Sequence, residues 1–277
     1  MSVFSPEYDL TTLSESRLNT ILETKRLGRG LIEVHQSLDS TNARAKFLSR
    51  AGAGEGALIV AETQTSGRGR LGRSWHSPPG KNLYFSLILK PVPVDDPPLL
   101  TLAAGLAVAE ALDRMAGRTP ELKWPNDLLF DGLKTAGILT ELETGSDGSR
   151  WAILGVGLNV NLEVADLPSE LAGRAGSLMI ATGCSWDRHE VLAALLKEIE
   201  EVYFKLASDG RAETLTRYRR LCRTIGQRIT ITTGGQSLDG LASGVDEHGR
   251  LIVIRHSDGR RLSFAGGEVT LRPSPQR

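Results

Sequence analysis

The chain of 277 residues contains only two cysteines. Cys184 and Cys222 are too far apart in sequence to form a C-x-x-C pair, and no histidine cluster accompanies either of them. The sequence therefore indicates neither a disulfide framework nor a structural zinc site. A reducing compartment is expected, and the cytoplasm is the default.

The chain also lacks net charge and long apolar runs. Its 33 basic residues are balanced by 33 acidic residues, so no overall electrostatic field favours nucleic acid or anionic membranes. No stretch is long and apolar enough to span a bilayer, and Met1 to Thr24 lacks the basic start and apolar run of a secretory signal. We therefore expect a cytoplasmic protein without a membrane or nucleic-acid partner.

Acidic residues are missing from one region, residues 63–90, which carries five cations. Within it, the stretch Gly67–Ser74 (GRGRLGRS) fits both the dinucleotide pattern G-x-G-x-x-G and a Walker loop with arginine in place of lysine. Both patterns require a following helix, but Trp75–Gly80 and then a strand follow here. The alternatives are a mobile loop whose arginines bind an anion, a solvated surface loop, or an arginine–glycine segment for nucleic acid.

Hydrophobic periodicity predicts an α/β (α+β) fold with a mixed sheet. The predicted strands are residues 31–36, 57–62, 82–90, 135–142 and 151–160, the last two flanking a turn at 145–148. The predicted helices begin after Asp39, with Ala43, Phe47 and Leu48 on one side; at Pro98; and around 192–206, with Glu201 placed to pair with Lys205.

Beyond Gly226 the pattern changes to short strands separated by glycine-containing turns. The strands 228–232, 240–245, 251–255 and 261–264 describe a small all-β barrel. We therefore divide the chain into an N-terminal extension, 1–30, a larger α/β domain, 31–224, and a C-terminal barrel, 225–277. The extension holds too little for a winged-helix DNA-binding domain.

Five motifs then occur in a fixed order: Ser40-Thr-Asn42, the arginine–glycine loop, Lys123-Trp-Pro-Asn-Asp127, Lys134-Thr-Ala-Gly-Ile-Leu-Thr-Glu141 and Gly155-Val-Gly-Leu-Asn159. With these the sequence strongly resembles the biotin protein ligases over residues 40–272, and specifically the class without an N-terminal DNA-binding domain. The resemblance implies a mixed-sheet catalytic domain of the biotin/lipoyl ligase type and a C-terminal SH3-like β-barrel. It also implies a reaction: ATP, Mg²⁺ and biotin give biotinyl-AMP, and biotin then passes to a lysine of a biotin carboxyl carrier protein or domain.

The resemblance implies a biotin site at eight positions: Ser40, Thr41, Asn42, Gln64, Arg68, Gly69, Arg70 and Lys134. In the family, the positions of Ser40, Thr41, Asn42 and Gln64 hold the ureido end of biotin. Judged by residue type alone, Ser40 to Asn42 reads equally as a helix N-cap, and Lys134 as a solvated residue at a strand edge.

The ATP site implied by the resemblance comprises Arg68, Arg70, Arg73, Trp75, Lys123, Asn126, Asp127, Asn159 and Arg272. Asp127 would also face the metal, and Lys134, Arg70 and Asp127 would carry the catalysis. Pro-Asn-Asp also fits an ordinary β-turn. Glu268 and Arg272 have two interpretations, contact with the nucleotide or loop and a plain core or surface role, whereas Trp124 is assigned to packing.

Two rival functions remain. Lipoate or octanoate ligases and transferases share the catalytic fold, although the motifs around Arg70 and Asp127 are of the biotin type. A nucleic-acid-binding regulator that merely senses biotin is the second rival, and the balanced charge weighs against it. The sequence is compatible with a homodimer and does not fix the oligomeric state or the preferred carrier.

Overall fold

The computed structural model describes residues 12–90, 96–145 and 148–272. Its larger sheet has seven strands in the order β1-β2-β3-β7-β6-β5-β4. Strands β1 and β2 are parallel and every other neighbouring pair is antiparallel, so the predicted mixed sheet is confirmed. The strands are β1 (Ile32–His35), β2 (Leu58–Ala61), β3 (Leu83–Leu89), β4 (Glu121–Lys123), β5 (Asp127–Phe130), β6 (Leu133–Thr144) and β7 (Arg150–Leu158).

Helices cover both faces of this sheet, so its central strands are apolar on both sides. In β2, Leu58 and Val60 belong to the main core, whereas Ile59 packs in a smaller cluster with Ala45 of α2. Long helices α3 and α5 pack against each other in the main core. The helices are α1 (Glu15–Ile21), α2 (Thr41–Arg50), α3 (Pro97–Ala116), α4 (Leu178–Thr182), α5 (Arg188–Ser208) and α6 (Arg211–Leu221). None of those in the described ranges is long and apolar enough to cross a membrane.

A second, fully antiparallel sheet follows, with strand order β11-β10-β9-β8-β12. Its tight turn at Gly234-Gly235 has positive φ at both residues, which glycine adopts without strain. The fold class predicted from the sequence is thus confirmed. The strands are β8 (Arg228–Thr233), β9 (Gln236–Val245), β10 (Leu251–Arg255), β11 (Arg261–Phe264) and β12 (Glu268–Leu271).

The division at residues 30 and 224 stays a prediction. Residues 1–11 and 273–277 lie outside the described ranges, as do residues 146 and 147 of the predicted turn. Within the predicted extension, residues 1–30, the side chains of Leu13, Leu18, Leu22 and Leu27 are buried in the main core. The described part of the extension therefore packs as an integral layer of the larger domain.

Two details of the helix predictions are wrong. The buried face of α2 is Thr41, Asn42, Ala45 and Ser49, while the Phe47 side chain is 60 % exposed. Polar contacts made by Thr41 and Asn42 with the sheet set this rotation, and an apolar pattern does not reveal them.

The second wrong detail of the helix predictions concerns the last turns of α5. Lys205 pairs with Glu213 of α6 at 2.5 Å. A tertiary partner therefore takes the place of Glu201, which was expected to pair with Lys205 one helical turn earlier.

A buried ion pair ties α5 to the sheet next to the arginine–glycine loop. Arg188 donates to both carboxylate oxygens of Glu62 at 2.7 and 3.0 Å and to the Asn82 carbonyl at 3.0 Å. The Glu62 carboxylate also accepts the N–H groups of Leu13 and Gly80. Glu62 and Gly80 lie on either side of residues 63–79, so this one pair anchors both ends of the loop.

Replacing Arg188 with alanine should lower the free energy of unfolding by about 3–5 kcal/mol, because it leaves a buried carboxylate without its counter-charge. Urea denaturation followed by circular dichroism measures this. Lys197→Ala is the matched control, since Lys197 pairs with Glu23 on the exposed surface and its loss should leave the free energy of unfolding nearly unchanged. An equal, small loss for both variants would contradict the anchoring role.

Candidate active site

A cleft of about 990 Å³ lies between the seven-stranded sheet and strand β12 of the second sheet. It brings together residues that are far apart in sequence: the start of α2, the arginine–glycine loop, the β4–β5 turn, the first half of β6 and the end of β7. All sequence-predicted site residues except Arg272 line it: Ser40, Thr41, Asn42, Gln64, Arg68, Gly69, Arg70, Arg73, Trp75, Lys123, Asn126, Asp127, Lys134 and Asn159.

One end of the cleft is formed by the first turn of α2. Ser40 occupies the N-cap position, but its side chain makes no capping hydrogen bond. Instead the Thr41 N–H donates to Gln64 Oε1 at 2.9 Å, and the Thr41 hydroxyl donates to the same oxygen at 3.2 Å. Gln64 thus satisfies a helix N–H that a cap would otherwise serve. Ordinary N-capping by Ser40 therefore does not explain the arrangement of Ser40, Thr41 and Gln64.

Asn42 is held by residues of two strands, β3 and β6. Its Nδ2 donates to Glu141 Oε2 at 2.8 Å and to the Leu139 carbonyl at 3.4 Å. Its Oδ1 accepts from Ser86, whose Oγ is 2.6 Å away. A Cβ on Gly155 would lie only 2.1 Å from Asn42 Oδ1, so glycine at this position makes room for the amide.

Burial alone would raise the pKa of the Glu141 carboxyl. The hydrogen bonds from Lys46 and Asn42, together with the charges of Lys46 and Arg68, outweigh it and hold this pKa below its usual value. Glu141 therefore stays ionised and fixes the orientation of the Asn42 amide.

The floor of the cleft is formed by Gly137 of β6 and Gly157 of β7, and the Trp75 ring packs against these two glycines. A Cβ on Gly157 would lie 2.7 Å from Trp75 Cε2, and one on Gly137 would lie 2.9 Å from Trp75 Cζ3. Because the two glycines are cross-strand partners, the indole lies against bare backbone. Any side chain here would push the ring into the cleft.

Gly157→Ala is expected to raise the KM for ATP by about tenfold or more while leaving the protein folded. The added methyl group displaces the Trp75 ring, which is where the resemblance places the adenine-stacking plane. Steady-state kinetics with ATP varied measures this. Gly244→Ala is the control, because nothing lies within 4 Å of its added Cβ. An unchanged KM in Gly157→Ala would show that the ring position is unimportant for the nucleotide.

Lys134 and Asp127 form the charged centre of the cleft. Lys134 Nζ lies 2.6 Å from Asp127 Oδ1 and 5.2 Å from the centroid of the Trp75 ring. The backbone of Lys134 is also fixed, since its N–H donates to the Arg174 carbonyl and its carbonyl accepts the Gly176 N–H, both at 2.9 Å. These contacts exclude the reading of Lys134 as a solvated edge residue.

The arginine–glycine loop closes one side of the cleft without an α-helix, as predicted. A short 3-10 turn spans Arg70–Gly72, with φ of 57° at Leu71 and 74° at Gly72, and the Gly69 N–H donates to the Arg73 carbonyl at 2.7 Å. Glycine tolerates such a backbone angle at position 72, whereas a Cβ on Gly67 would lie only 2.8 Å from the Trp75 carbonyl oxygen.

The three arginines of the loop have different surroundings. Burial lowers the pKa of Arg70, and the nearby charge of Asp127 partly opposes this. Arg73 pairs with Glu268 of β12, so the second sheet holds the loop. Within the residues described, no ion pair engages Arg68 or Arg70, whereas Arg73 and Lys134 each have one. Two cations are thus left to face an anion in the cleft.

Two of the remaining predicted residues, Asn126 and Asn159, hold the local backbone, and the third, Arg272, does not. Asn126 Nδ2 donates to the Ile138 carbonyl at 3.0 Å. Asn159 Nδ2 donates to the Gly176 carbonyl at 2.9 Å, and its Oδ1 accepts from Asn82 at 3.3 Å. Arg272 lies outside the cleft, where it donates to Thr230 Oγ1 and Asp239 Oδ1. Of the two residues assigned jointly to nucleotide or loop contact, only Glu268 reaches the loop.

The sequence missed several residues that shape this site. Ser86 interrupts an otherwise apolar strand and is completely buried, which is the signal that could have identified it. Arg174 and Arg223 line the cleft but lie in segments without a recognisable motif. Trp124 is buried and donates to the Gly249 carbonyl, which confirms its packing role.

The cleft offers few protein ligands for a metal ion. Among the described residues, no group of three or more His, Cys, Asp or Glu side chains is placed to hold an ion. Asp127 is a carboxylate beside the charged centre, and it is already paired with Lys134. This donor set fits Mg²⁺, which is usually held by one or two carboxylates, water and substrate phosphates.

Two family profiles match the chain. The biotin/lipoate A/B protein ligase family matches residues 34–159, and the biotin protein ligase C-terminal domain matches residues 224–272. The first profile covers the start of α2, the loop, the Lys134 strand and Asn159. The second covers the sheet that supplies Glu268.

Relatives and solved structures agree with these profiles. The bifunctional ligase/repressor BirA of Bacillus subtilis is 39% identical over 258 residues, covering 93% of this chain and 79% of the relative. The biotin–[acetyl-CoA-carboxylase] ligase of Mycobacterium tuberculosis is 35% identical, covering 86% of this chain and 88% of the relative. A biotin protein ligase from Aquifex aeolicus, solved in complex with biotin and ATP, superposes with a TM-score of 0.77 at 34% identity, covering 88% of this chain and all of that one. This chain therefore belongs to the biotin protein ligase family and is a biotin ligase enzyme.

Proposed function

We propose that this enzyme activates biotin with ATP to give biotinyl-AMP and then transfers biotin to one lysine of a biotin carboxyl carrier domain. The observation that carries the proposal is the joining, in one cleft, of the Lys134 amine and the free cations Arg68 and Arg70 with the polar pocket of Thr41 and Gln64. The cations suit two anionic reactants, and the polar pocket suits a ring that both donates and accepts hydrogen bonds.

Biotin would lie with its ureido ring at the start of α2, beside Thr41, Asn42 and Gln64, and with its carboxylate toward Lys134. Short polar side chains held by neighbours keep this pocket pre-formed, which lowers the entropic cost of binding. Ser40, Arg68 and Gly69 would complete its wall.

In the first step a biotin carboxylate oxygen attacks the α-phosphorus of ATP. A bond forms between that oxygen and phosphorus, the bond from phosphorus to the bridging oxygen breaks, and pyrophosphate leaves. Two anions must meet, so cations have to neutralise both reactants and the charge developing on phosphorus. Lys134 and Arg70 are placed for this, and Asp127 positions the Lys134 amine.

The nucleotide would lie between Trp75 and the β4–β5 turn, with Asn159 beside the adenine and Asn126, Lys123 and Arg73 toward the phosphates. Arg272 is left out of this arrangement because it faces Asp239. Mg²⁺ would come bound to the triphosphate, with Asp127 as its protein ligand, and would screen the phosphate charge.

In the second step the carrier lysine, as a neutral amine, attacks the acyl carbon of the mixed anhydride. An amide bond forms, the acyl–oxygen bond breaks and AMP leaves, while the amine loses a proton. Until then the loop around Arg70 would cover the anhydride and exclude water. The Arg73–Glu268 pair supports such closure, since it links the loop to β12.

Pyrophosphate exchange into ATP, assayed with each acid in turn, tests the substrate. Biotin should support exchange, and lipoate and octanoate should not. Exchange with lipoate but not with biotin would assign the enzyme to the rival lipoate type.

The carrier is tested by incubating the enzyme with biotin, MgATP and a biotin carboxyl carrier domain. One biotinyl group should appear on a single lysine by mass spectrometry. Reaction in cytoplasmic extract, where we expect the enzyme to act, should label the same carrier.

A further inference from the structure

Asn82 lies immediately before β3, is completely buried and contacts one of the predicted nucleotide-binding residues. Strand β3 pairs with β7 through Leu83 and Leu158, so the residues one position beyond this pair, Asn82 and Asn159, lie opposite each other. Asn82 Nδ2 is 3.3 Å from Asn159 Oδ1. A buried amide thus contacts an amide that lines the cleft.

The orientation of the Asn82 amide is fixed by a backbone N–H group. Asn82 Oδ1 accepts the Val160 N–H at 3.0 Å, and because a backbone N–H can only donate, this atom must be the oxygen. Asn82 Nδ2 then donates one proton to the Tyr84 hydroxyl at 2.9 Å and the other to Asn159. The Asn82 carbonyl also accepts from Arg188 at 3.0 Å, so the backbone and the side chain of Asn82 are both held.

Asn82 in turn fixes the orientation of the Asn159 amide. Because Asn82 Nδ2 can only donate, the atom of Asn159 that it contacts must be the oxygen. On the other side, Asn159 Nδ2 donates to the Gly176 carbonyl at 2.9 Å. A flipped Asn159 amide would set donor against donor at Asn82 and acceptor against acceptor at Gly176.

The bonds to Asn82 and Gly176 leave half of the Asn159 amide free. A carboxamide has two N–H protons and two acceptor positions. In the part of the chain that the structure describes, the Asn159 side chain makes only these two hydrogen bonds. One N–H group and one acceptor position therefore remain at a residue that lines the cleft. They fit a ligand edge that carries an acceptor and a donor side by side.

The base of ATP has such an edge. The amino group at C6 of adenine donates and a nearby ring nitrogen accepts, which is why asparagine pairs with adenine in nucleic-acid recognition. Guanine and hypoxanthine carry a carbonyl oxygen at C6 and a proton on N1, so the donor and the acceptor are exchanged. Asn159 in its observed orientation therefore fits adenine, whereas a flipped Asn159 would fit the other two bases.

We propose that Asn82 is a positioning residue for base selection: by donating to Asn159 Oδ1 it keeps the Asn159 amide in the orientation that fits adenine and rejects bases with a carbonyl group at C6. Asn82 has no exposed surface, so it acts through Asn159 and does not touch the nucleotide. This inference rests on the proposed function, in which Asn159 lies beside the adenine, and adds the residue that makes Asn159 selective.

The test compares ATP with ITP, which carries hypoxanthine in place of adenine. Biotin-dependent exchange of labelled pyrophosphate into each nucleotide gives its kcat and KM. The wild-type enzyme should prefer ATP in kcat/KM by at least about tenfold, because a well-placed amide pair discriminates between bases by about that factor or more. A ratio near one would overturn the inference, whereas no exchange with biotin and ATP would refute the proposed function itself.

Asn82→Ala removes the donor and leaves the Gly176 carbonyl alone to orient Asn159. The preference for ATP should fall at least about fivefold, because one hydrogen bond that fixes the Asn159 amide is lost. The loss should come chiefly from a higher KM for ATP, with kcat within about twofold of the normal value, as expected when a binding contact is removed. A purely structural role of Asn82 would slow exchange with ATP and ITP alike, and an unchanged ratio would overturn the inference.

Tyr84→Phe is the matched control from the same buried network. It removes the other partner of Asn82 Nδ2 and the bond from the Tyr84 hydroxyl to the Pro78 carbonyl. It keeps the bond from Asn82 to Asn159, so the preference for ATP should not change. If Asn82→Ala does not fold, Asn82→Leu fills the same space without a donor and should lower the preference in the same way. An equal loss of preference in Tyr84→Phe, or none in a folded Asn82 variant, would overturn the inference.

Discussion

Lys134→Ala is expected to reduce biotin-dependent pyrophosphate exchange by about 10³-fold or more while the protein keeps its thermal midpoint. The amine lies 2.6 Å from Asp127 Oδ1 in the centre of the cleft, and in the proposed reaction it lies between the two anionic reactants. Removing one pre-positioned charge-stabilising group of this kind typically costs about 10²–10³ in rate. A further loss is expected because Asp127 would then repel the phosphates.

Two control variants distinguish a general effect of lost positive charge from a direct role of the Lys134 amine in the reaction. Lys81→Ala removes a cation that pairs with Asp166 outside the residues lining the cleft, and should exchange pyrophosphate at close to the normal rate. Lys134→Ala combined with Asp127→Asn removes the repulsion and should remain largely inactive. Recovery in the double variant would mean that Lys134 only neutralises Asp127, and normal exchange in Lys134→Ala would remove it from the mechanism.

Arg70→Ala is expected to release biotinyl-AMP about 10- to 100-fold faster than the wild-type enzyme. The Arg70 side chain is partly buried, lies against Gly266 of the second sheet and has no ion-pair partner in the described part of the chain. A charge-assisted hydrogen bond from it to the phosphate contributes about 1.5–3 kcal/mol. Losing that contact should raise the dissociation rate of the intermediate.

Release is measured by trapping free biotinyl-AMP after single-turnover formation on the enzyme. Arg50→Ala is the control, since Arg50 is mostly exposed, pairs with Glu143 and lies outside the residues that line the cleft. It should change release by less than about threefold, because exposed ion pairs contribute little. Equal release rates for Arg70→Ala and the wild type would show that Arg70 does not retain the intermediate.

The sequence predicted the long, strongly patterned elements, and it singled out polar residues that the fold brings together in one cleft. Strand β3 and helix α3 were predictable because a run rich in aromatic and branched residues in one and a helical apolar repeat in the other are local signals. The absence of a helix after the arginine–glycine loop was also predicted locally, from the prolines and the following strand. The structure confirms that no α-helix follows this loop, and the arginines of the loop line the cleft.

What failed in prediction depends on contacts across the fold. Phe47 was placed on the buried face of α2 from its apolar character, but the bonds of Thr41 and Asn42 to Gln64 and Ser86 turn that helix. Short strands β4 and β5 contain too few residues for a periodic signal. Arg272 stands in a matching segment, yet its side chain pairs with Asp239 of β9, two strands away from β12 in the second sheet.

The central claim is that the Lys134 amine and the Arg70 loop together allow two negatively charged molecules to react. The most direct measurement is a crystal structure with a non-hydrolysable biotinyl-AMP analogue. The account predicts Lys134 Nζ and the Arg70 guanidinium within hydrogen-bond distance of the acyl-phosphate group, with the loop covering it. An analogue bound at full occupancy while Lys134 faces only Asp127 and the loop lies away from the ligand would contradict it.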